Sequence, residues 1–298
     1  MLSLEFRVVI VLLCIGAISA ALLTAFDPQG RQPEDHGICT SSAGPGRTRR
    51  PRDQGAGRGV AGKVAVVYYG WLIDEHGQPN TAAYQLAAGR PDLIIVAGYT
   101  EQPRANNLPA AVRALFHASH TRIAVYIATQ YGQRPLSEIE SAIADSVANA
   151  DAIFLDEVTP AFDAQSGPYY ATIAAQVRSA GKIVIANPGV AAIDERIMDI
   201  ADIVMLEHQW TQFVTGCGWY GDYPLDRFMG VSSNEPGARR ELGHMIDAQQ
   251  AVVDTRRAWD LGIGWHYSCD RYTDVPPWYD TYMRAIRSQG WRQGAGHE

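Results

Sequence analysis

The sequence predicts an α/β fold, a (β/α)8 TIM barrel, and three observations predict it. Eight short apolar runs recur over residues 63–298, each too short for a helix and too continuous for a strand with one wet face. Such runs are expected of parallel strands covered on both sides. Helix-length amphipathic segments separate them, and right-handed crossovers of that length close a parallel sheet on itself within about 250 residues. The alternative, a doubly wound open sheet, would put a Gly-rich phosphate turn after its first strand, whereas Tyr68-Tyr69-Gly70-Trp71 contains no GxGxxG.

In order, the strands are expected at residues 64–71 (VAVVYYGW), 92–99 (DLIIVAGY), 122–130 (RIAVYIATQ), 151–158 (DAIFLDEV), 182–189 (KIVIANPG), 202–209 (DIVMLEHQ), 227–234 (RFMGVSSN) and 261–270 (LGIGWHYSCD). Between the third and fourth, residues 137–150 read as a helix capped by Ser137, with Ile139, Ile143 and Val147 recurring every four residues. Residues 242–259 read as another, with Met245, Ile246, Val252, Val253 and Trp259 along one stripe. Several strands open just after a turn, as at Gly89-Arg90-Pro91 and Ala180-Gly181-Lys182.

What precedes the barrel is of a different composition. Residues 8–26 (VVIVLLCIGAISAALLTAF) carry no charge and are flanked by Arg7 and Asp27, so residues 1–26 are expected to be a signal peptide or a transmembrane anchor. Their length suits a membrane span, and Ser19-Ala20-Ala21 suits cleavage. Either way, the barrel is expected outside the cytoplasm, secreted or held to a membrane through this segment. Residues 27–62, rich in Gly, Pro and Arg, cannot bury a core and are expected to be a disordered linker. Residues 63–298 then form one hydrolase-sized domain, expected as a monomer. The four cysteines leave Cys217 and Cys269 in this domain, either bridged or as two separate buried thiols.

Charge excludes one class of partner. The formal charge is −7 overall and −9 over residues 61–298, which disfavours nucleic acid, because phosphate backbones need basic patches.

Ligands and chemistry in parallel α/β folds gather at the C-terminal ends of the strands. Those ends supply Asp156, Glu157 and Glu207, with Tyr69, Tyr99, Asn187, His208, Trp265 and Tyr267 as candidate substrate contacts. Carboxylates among aromatic faces suit a carbohydrate, whose CH faces stack on rings while its hydroxyls need polar partners. Glycoside hydrolysis uses two carboxyl groups, at about 5–5.5 Å for retention or 6.5–9.5 Å for inversion. Tips of the fourth and sixth strands can face each other across the mouth. Asp156 is expected inward as the principal group with Glu157 supporting it, since successive strand residues point to opposite faces. The competing readings are a helix cap or an Arg178 ion pair at Asp156 or Glu157, a non-catalytic carbohydrate-binding surface protein, and a metal hydrolase using His208, His266, Asp156 and Glu207. The last lacks HxH or HExxH spacing, so no metal or other cofactor is expected.

The motifs Phe154-Leu155-Asp156-Glu157, Asn187-Pro188-Gly189 and Leu206-Glu207 lie in order on strands four, five and six. In these the chain resembles the spherulin-4-like family, with its Sph3-type glycoside hydrolases, and more distantly the polygalactosaminidase barrels, over roughly residues 64–285. The first strand departs from the family's Tyr-x-Tyr-Pro ending. The resemblance implies a TIM-barrel glycosidase that cleaves galactosamine- or N-acetylgalactosamine-containing polysaccharide, with Asp156, Glu157 and Glu207 lining the active site.

Overall fold

The structure, a computed structural model, describes Cys39 and residues 62–96, 108–213 and 215–288. Eight parallel strands close into one barrel in chain order: β1 (Lys63–Tyr68), β2 (Leu93–Val96), β3 (Arg122–Ala128), β4 (Ala152–Asp156), β5 (Ile183–Ala186), β6 (Ile203–Met205), β7 (Phe228–Ser232) and β8 (Trp265–Ser268). Seven fall within the expected runs, and β1 begins one residue ahead of its run, at Lys63. They are shorter than those runs because the residues at the C-terminal ends leave the ladder to form the mouth.

Around the barrel lie α1 (Thr81–Gly89), α2 (Ala110–Ala118), α3 (Leu136–Ser146), α4 (Ser166–Ser179), the single turn α5 (Ile197–Ile200), α6 (Pro236–Leu242), α7 (Ala248–Leu261) and α8 (Tyr279–Ser288). Two helix expectations are corrected. Ser137 lies inside α3, whose cap position is Pro135, so proline's fixed φ and not a serine hydroxyl starts that helix. The stretch 242–259 is not one helix: it takes in the last residue of α6, which Gly243 ends at φ 75°, a connecting turn, and α7, which starts where the Asp247 side chain accepts from the Gln250 N–H.

A repeated acidic device sets the heights of the strands. Asp92, Asp151 and Asp202 each stand just before an even-numbered strand and accept the backbone N–H of the preceding strand, from Val64 (2.9 Å), Ile123 (2.9 Å) and Val184 (2.8 Å). Each carboxylate thus pins one strand pair at its N-terminal end. With that end held, the register follows, and Ala128 of β3 comes level with Asp156 of β4. Arg178, at the end of α4, pairs with Asp202 at 3.1 Å, so it serves this lower end and not the carboxylates of the mouth.

Gly230 of β7 lies directly against Trp210. A Cβ there would lie 2.7 Å from Cβ of Trp210, so the absence of a side chain lets the buried indole rest on the strand.

The cysteine expectation is corrected. Cys217 is bridged to Cys39, 178 residues away, and Cys269 is a buried free thiol that burial pushes well above the ordinary thiol pKa. The partner of Cys217 therefore comes from the segment ahead of the barrel. Residues 1–26 and, apart from Cys39 and Gly62, the linker lie outside the described residues. Among the described residues no helix is long and apolar enough to cross a membrane.

Closing so long a loop restricts the unfolded chain, and such bridges contribute about 2–4 kcal/mol. Cys217→Ser is expected to lower stability by about that amount. Digestion without reduction is expected to yield a peptide containing Cys39 joined to one containing Cys217, with Cys269 alkylated only after unfolding; a Cys217–Cys269 peptide would refute the pairing.

Candidate active site

The mouth is assembled from three neighbouring strand tips. Asp156 is the last residue of β4, Asn187 follows β5 directly, and Glu207 stands two residues beyond the end of β6. Register decides which side chains enter. Tyr126 pairs with Phe154 and Ala128 with Asp156; paired residues of parallel strands share a face and alternate along each strand. Phe154 and Tyr126 therefore occupy one layer inside the barrel, with ring centroids 5.9 Å apart, and Asp156 stands above them in hydrogen-bonding contact with the Tyr126 hydroxyl.

Both glutamates turn toward the site through backbone that L-residues seldom adopt. Glu157 has φ 53° and Glu207 φ 43°, both left-handed. The strand has ended by Glu157, so strict alternation no longer sends it to the outer face. Opposite Glu157, Gln130 and Tyr131 are left-handed as well, at φ 51° and 54°. The two turns brace each other. The Tyr131 N–H donates to the Glu157 carbonyl at 2.6 Å, the Gln130 backbone N–H bonds the Glu157 carboxylate, and the Thr129 hydroxyl lies 2.7 Å from the Glu157 carbonyl. Non-glycine residues in this region cost on the order of 1 kcal/mol or more and concentrate at functional sites.

One amide holds two carboxylates. Nδ2 of Asn187 donates to Asp156 Oδ1 at 2.7 Å and to Glu207 Oε1 at 2.6 Å, while its Oδ1 accepts the Gly189 N–H at 3.0 Å. Two oxygens on one nitrogen can be no farther apart than those bonds laid end to end, about 5.3 Å, so the two carboxyl groups form a close pair. Burial, and then the charge of Glu207, push the Asp156 carboxyl from 3.8 up to about 6; hydrogen bonds from Tyr126, the Glu157 backbone N–H and Asn187 oppose that rise. Burial also raises Glu207, against the bond from Asn187 and with the charge of Glu241 on α6. Glu157 is raised by burial and by Asp156.

Phenol rings wall this group. Tyr69, just beyond β1, lies 5.5 Å from Tyr126 and 5.4 Å from Tyr272, centroid to centroid. Burial and the charge of Asp156 hold its hydroxyl protonated far above the ordinary tyrosine pKa. His208 stacks on Tyr272 at an interplanar angle of 13°; its Nδ1 is 3.1 Å from the Val231 carbonyl, and burial lowers its pKa, keeping the ring neutral.

Of the residues expected at the mouth, the structure brings together Asp156, Glu157, Glu207, Asn187, Tyr69 and His208. Tyr99 lies outside the described residues. Trp265 is a correction. It begins β8, pairs with Lys63 at the start of β1, and lies beneath the Lys63 ammonium and Arg122 guanidinium at 4.6 and 5.2 Å, so it closes the opposite end of the barrel. Its expected strand, 261–270, began four residues too early, in the last turn of α7 and the turn after it. Tyr267 is buried within β8 beside Tyr282 of α8, centroids 6.3 Å apart, and is not gathered with the carboxylates. His266, a ligand in the metal reading, is buried between Thr255 of α7 (3.0 Å) and Ser232 (3.4 Å), and burial pushes it down to about 4. Among the described residues no group of three or more His, Cys, Asp or Glu side chains is arranged to hold a metal ion.

Tyr126 and Tyr272 are site residues missing from the expected set, and Tyr131, just past the tip of the third expected strand, joins them. A two-residue step back from the tip of β3 would reach Tyr126, but only once its register with β4 is known. Tyr272 lies past the end of β8. Tyr131 is 49% exposed, and its hydroxyl is raised by burial, then by the charges of Glu157, Asp156 and Glu207, so its ring faces the opening beside all three acids.

A closed eight-stranded α/β barrel is a TIM barrel, and here the acids cluster at the C-terminal mouth, where that architecture places its chemistry. Residues 96–286 match the Spherulation-specific family 4, and the chain belongs to that family. Its fold is similar to that of Aspergillus clavatus Sph3 in complex with GalNAc, at 17% identity and a TM-score of 0.58, over 76% of this chain and 98% of that one. It is also similar to a GH18 chitinase from Pseudoalteromonas aurantia, at 8% identity and a TM-score of 0.51, over 76% and 99% of the two chains. No curated protein matches the sequence.

The electrostatics predict a stability effect that needs no substrate. A carboxyl whose folded pKa is about 6, against 3.8 unfolded, binds its proton more tightly in the folded chain. Its favourable contribution is complete below the unfolded value and is lost as pH rises through 6. Asp156→Asn lacks that loss. Relative to wild type, the variant is expected to be about 2–3 kcal/mol more favoured at pH 8 than at pH 4; thermal melts of both proteins at both pH values check it, and equal differences would refute it.

Proposed function

We propose that this protein is a glycoside hydrolase cleaving a galactosamine- or N-acetylgalactosamine-containing polysaccharide, with Asp156 and Glu207 as the reacting pair. The observation that carries the reading is the pair itself, one oxygen of each carboxyl bonded to the same Asn187 nitrogen, a close pairing of the kind that places a sugar's anomeric carbon between an acid and an anion. The amino-sugar class is supported by family membership and by a fold shared with a protein bound to GalNAc.

Donor placement supports the division of labour. Tyr126, Asn187 and the Glu157 N–H all donate to Asp156, and hydrogen bonds to a carboxylate favour its charged form. Above its pKa, Asp156 suits the nucleophile or the stabiliser of an oxocarbenium-like centre. Glu207, with its side chain 31% exposed, can exchange its proton with water and serves as acid/base. Glu157 adds negative charge and, through its backbone, holds the Tyr131 turn. The Tyr131 face and the half-buried Tyr69 are placed to stack on sugar rings.

This activity belongs outside the cytoplasm. The apolar segment ahead of the linker and the Cys39–Cys217 bridge support that placement, since such bridges persist in oxidising compartments.

The purified chain is to be incubated with galactosamine-containing and other polysaccharides and assayed for new reducing ends. Asp156→Asn and Glu207→Gln are each expected to lower turnover by about 10²- to 10⁴-fold with the fold intact. On an aryl glycoside whose leaving group needs no proton, Glu207→Gln should regain much of its rate and Asp156→Asn should not. Sugar binding without turnover by the wild type would make the protein a lectin.

Substrate charge gives a second expectation. The −9 charge of residues 61–298 and the three acids of the mouth attract a cation, so partly deacetylated, cationic galactosamine polymer should bind more tightly at low salt than at high salt, where charges are screened over about 8 Å or less. Affinity independent of salt, or preference for an acidic polymer, would show that the charge does not select substrate.

A further inference from the structure

We propose that Asn187 is a positioning residue for both carboxylates rather than a contact for the sugar, its single side-chain amide holding Asp156 and Glu207 as one unit. This deepens the reading above and rests on it only for the importance of the pair.

The geometry leaves that amide little freedom. Both Nδ2 protons are committed, one to each acid, and Oδ1 is committed to the Gly189 N–H. Gly189 has φ +71°, a conformation open to glycine at little cost, and it is this turn that aims its N–H back at Asn187. Flipping the amide would set its oxygen against two carboxylates and its donors against an N–H, losing three bonds at once. The main chain is held as well: the Asn187 N–H donates to the Leu155 carbonyl at 2.8 Å, and its carbonyl accepts from Val158 at 3.0 Å. Those two bonds bracket Asp156 and Glu157. At 2% exposure, Asn187 lies beneath the pair, where a polymer entering from the mouth does not reach it.

The groups around the pair explain why such a donor is needed. Asp156 faces Glu207, Glu157, the Tyr126 hydroxyl, Tyr69 and Tyr131; Glu207 faces Tyr69, Tyr272, Glu241 of α6, and His208 at 4.0 Å. These are acids, phenols and a histidine that burial keeps neutral. Asn187 acts on both acids together, whereas Tyr126 and the Glu157 N–H serve Asp156. Without it, two carboxylates of like charge would face each other with one fewer donor apiece. Each would hold its proton to higher pH, and the pair would lose its common axis.

The test reads the carboxyls directly and without substrate. Carbon-13 NMR follows the side-chain carboxyls of Asp156 and Glu207 through a pH titration of the whole chain, the signals being assigned by their loss in Asp156→Asn and Glu207→Gln. In Asn187→Ala, with amide signals distant from the mouth unchanged, both midpoints are expected to rise by about one pH unit, the equivalent of one hydrogen bond to a charged group. If neither midpoint moves, Asn187 only packs; if one moves alone, it serves a single acid. Either result overturns the proposal. Should the alanine variant fail to fold, Asn187→Ser, which keeps one donor, is judged by whether at least one midpoint rises, and two unmoved midpoints overturn the proposal again. A chain that cleaves no amino-sugar polymer would defeat the hydrolase reading and leave these titrations standing, while unmoved midpoints would defeat the role of Asn187 and leave cleavage untouched.

Discussion

Two like-charged carboxyl groups drawn out of bulk water are an unfavourable arrangement, and the mouth of this barrel is built around keeping them together. Burial raises both, the charge of Glu207 adds to the rise at Asp156 and that of Glu241 to the rise at Glu207; the compensation is a set of fixed donors, with Asn187 between the acids and Tyr126 and the Glu157 N–H on Asp156. The parallel ladder makes this possible. Because β4, β5 and β6 are consecutive in the closed sheet, the residue after β5 stands between the ends of its two neighbours. An asparagine there spans the gap with one side chain.

Backbone conformation carries the other half of the arrangement. The left-handed turn at Glu157, opposite another pair of left-handed residues at Gln130 and Tyr131, is tolerated because hydrogen bonds over-determine it. The Thr129 hydroxyl beside the Glu157 carbonyl is itself 3.0 Å from the Tyr170 hydroxyl of α4, so the turn after β4 is tied to the helix that follows. The strain is spread over an interlocked set of turns, and the side chains it aims are those with polar work at the opening. Around and beneath them Tyr126, Phe154, Tyr69 and Tyr272 form an aromatic lining, and beside such apolar surfaces charges act more strongly than in bulk water.

The lower end of the barrel is organised for a different purpose. Asp92, Asp151 and Asp202 each hold the start of a strand, and Trp265 is covered there by Lys63 and Arg122. These charged and aromatic groups set register and close the bottom. Residue types alike in composition thus do unlike work at the two ends: carboxylates below lock strand heights, and carboxylates above are held against their own repulsion.

By itself the sequence determined the barrel, because strands buried on both faces must be apolar throughout and their crossovers must have helical length, and both features are local. It also placed Asp156, Glu157, Asn187 and Glu207 at strand tips, since an apolar run that stops abruptly in polar residues marks its own end. Register, turn conformation and long-range pairing were decided only in the tertiary structure. Trp265 looks like a tip residue in the run LGIGWHYSCD, yet the helix reaches Leu261 and the strand starts at Trp265, because the glycine cap at Gly262 ends the helix inside the apolar stretch. Tyr126 joined the site through its pairing with Phe154, and Cys217 found Cys39 instead of Cys269. Such contacts join residues tens to hundreds of positions apart, and composition and periodicity hold no record of which distant partner a side chain will meet.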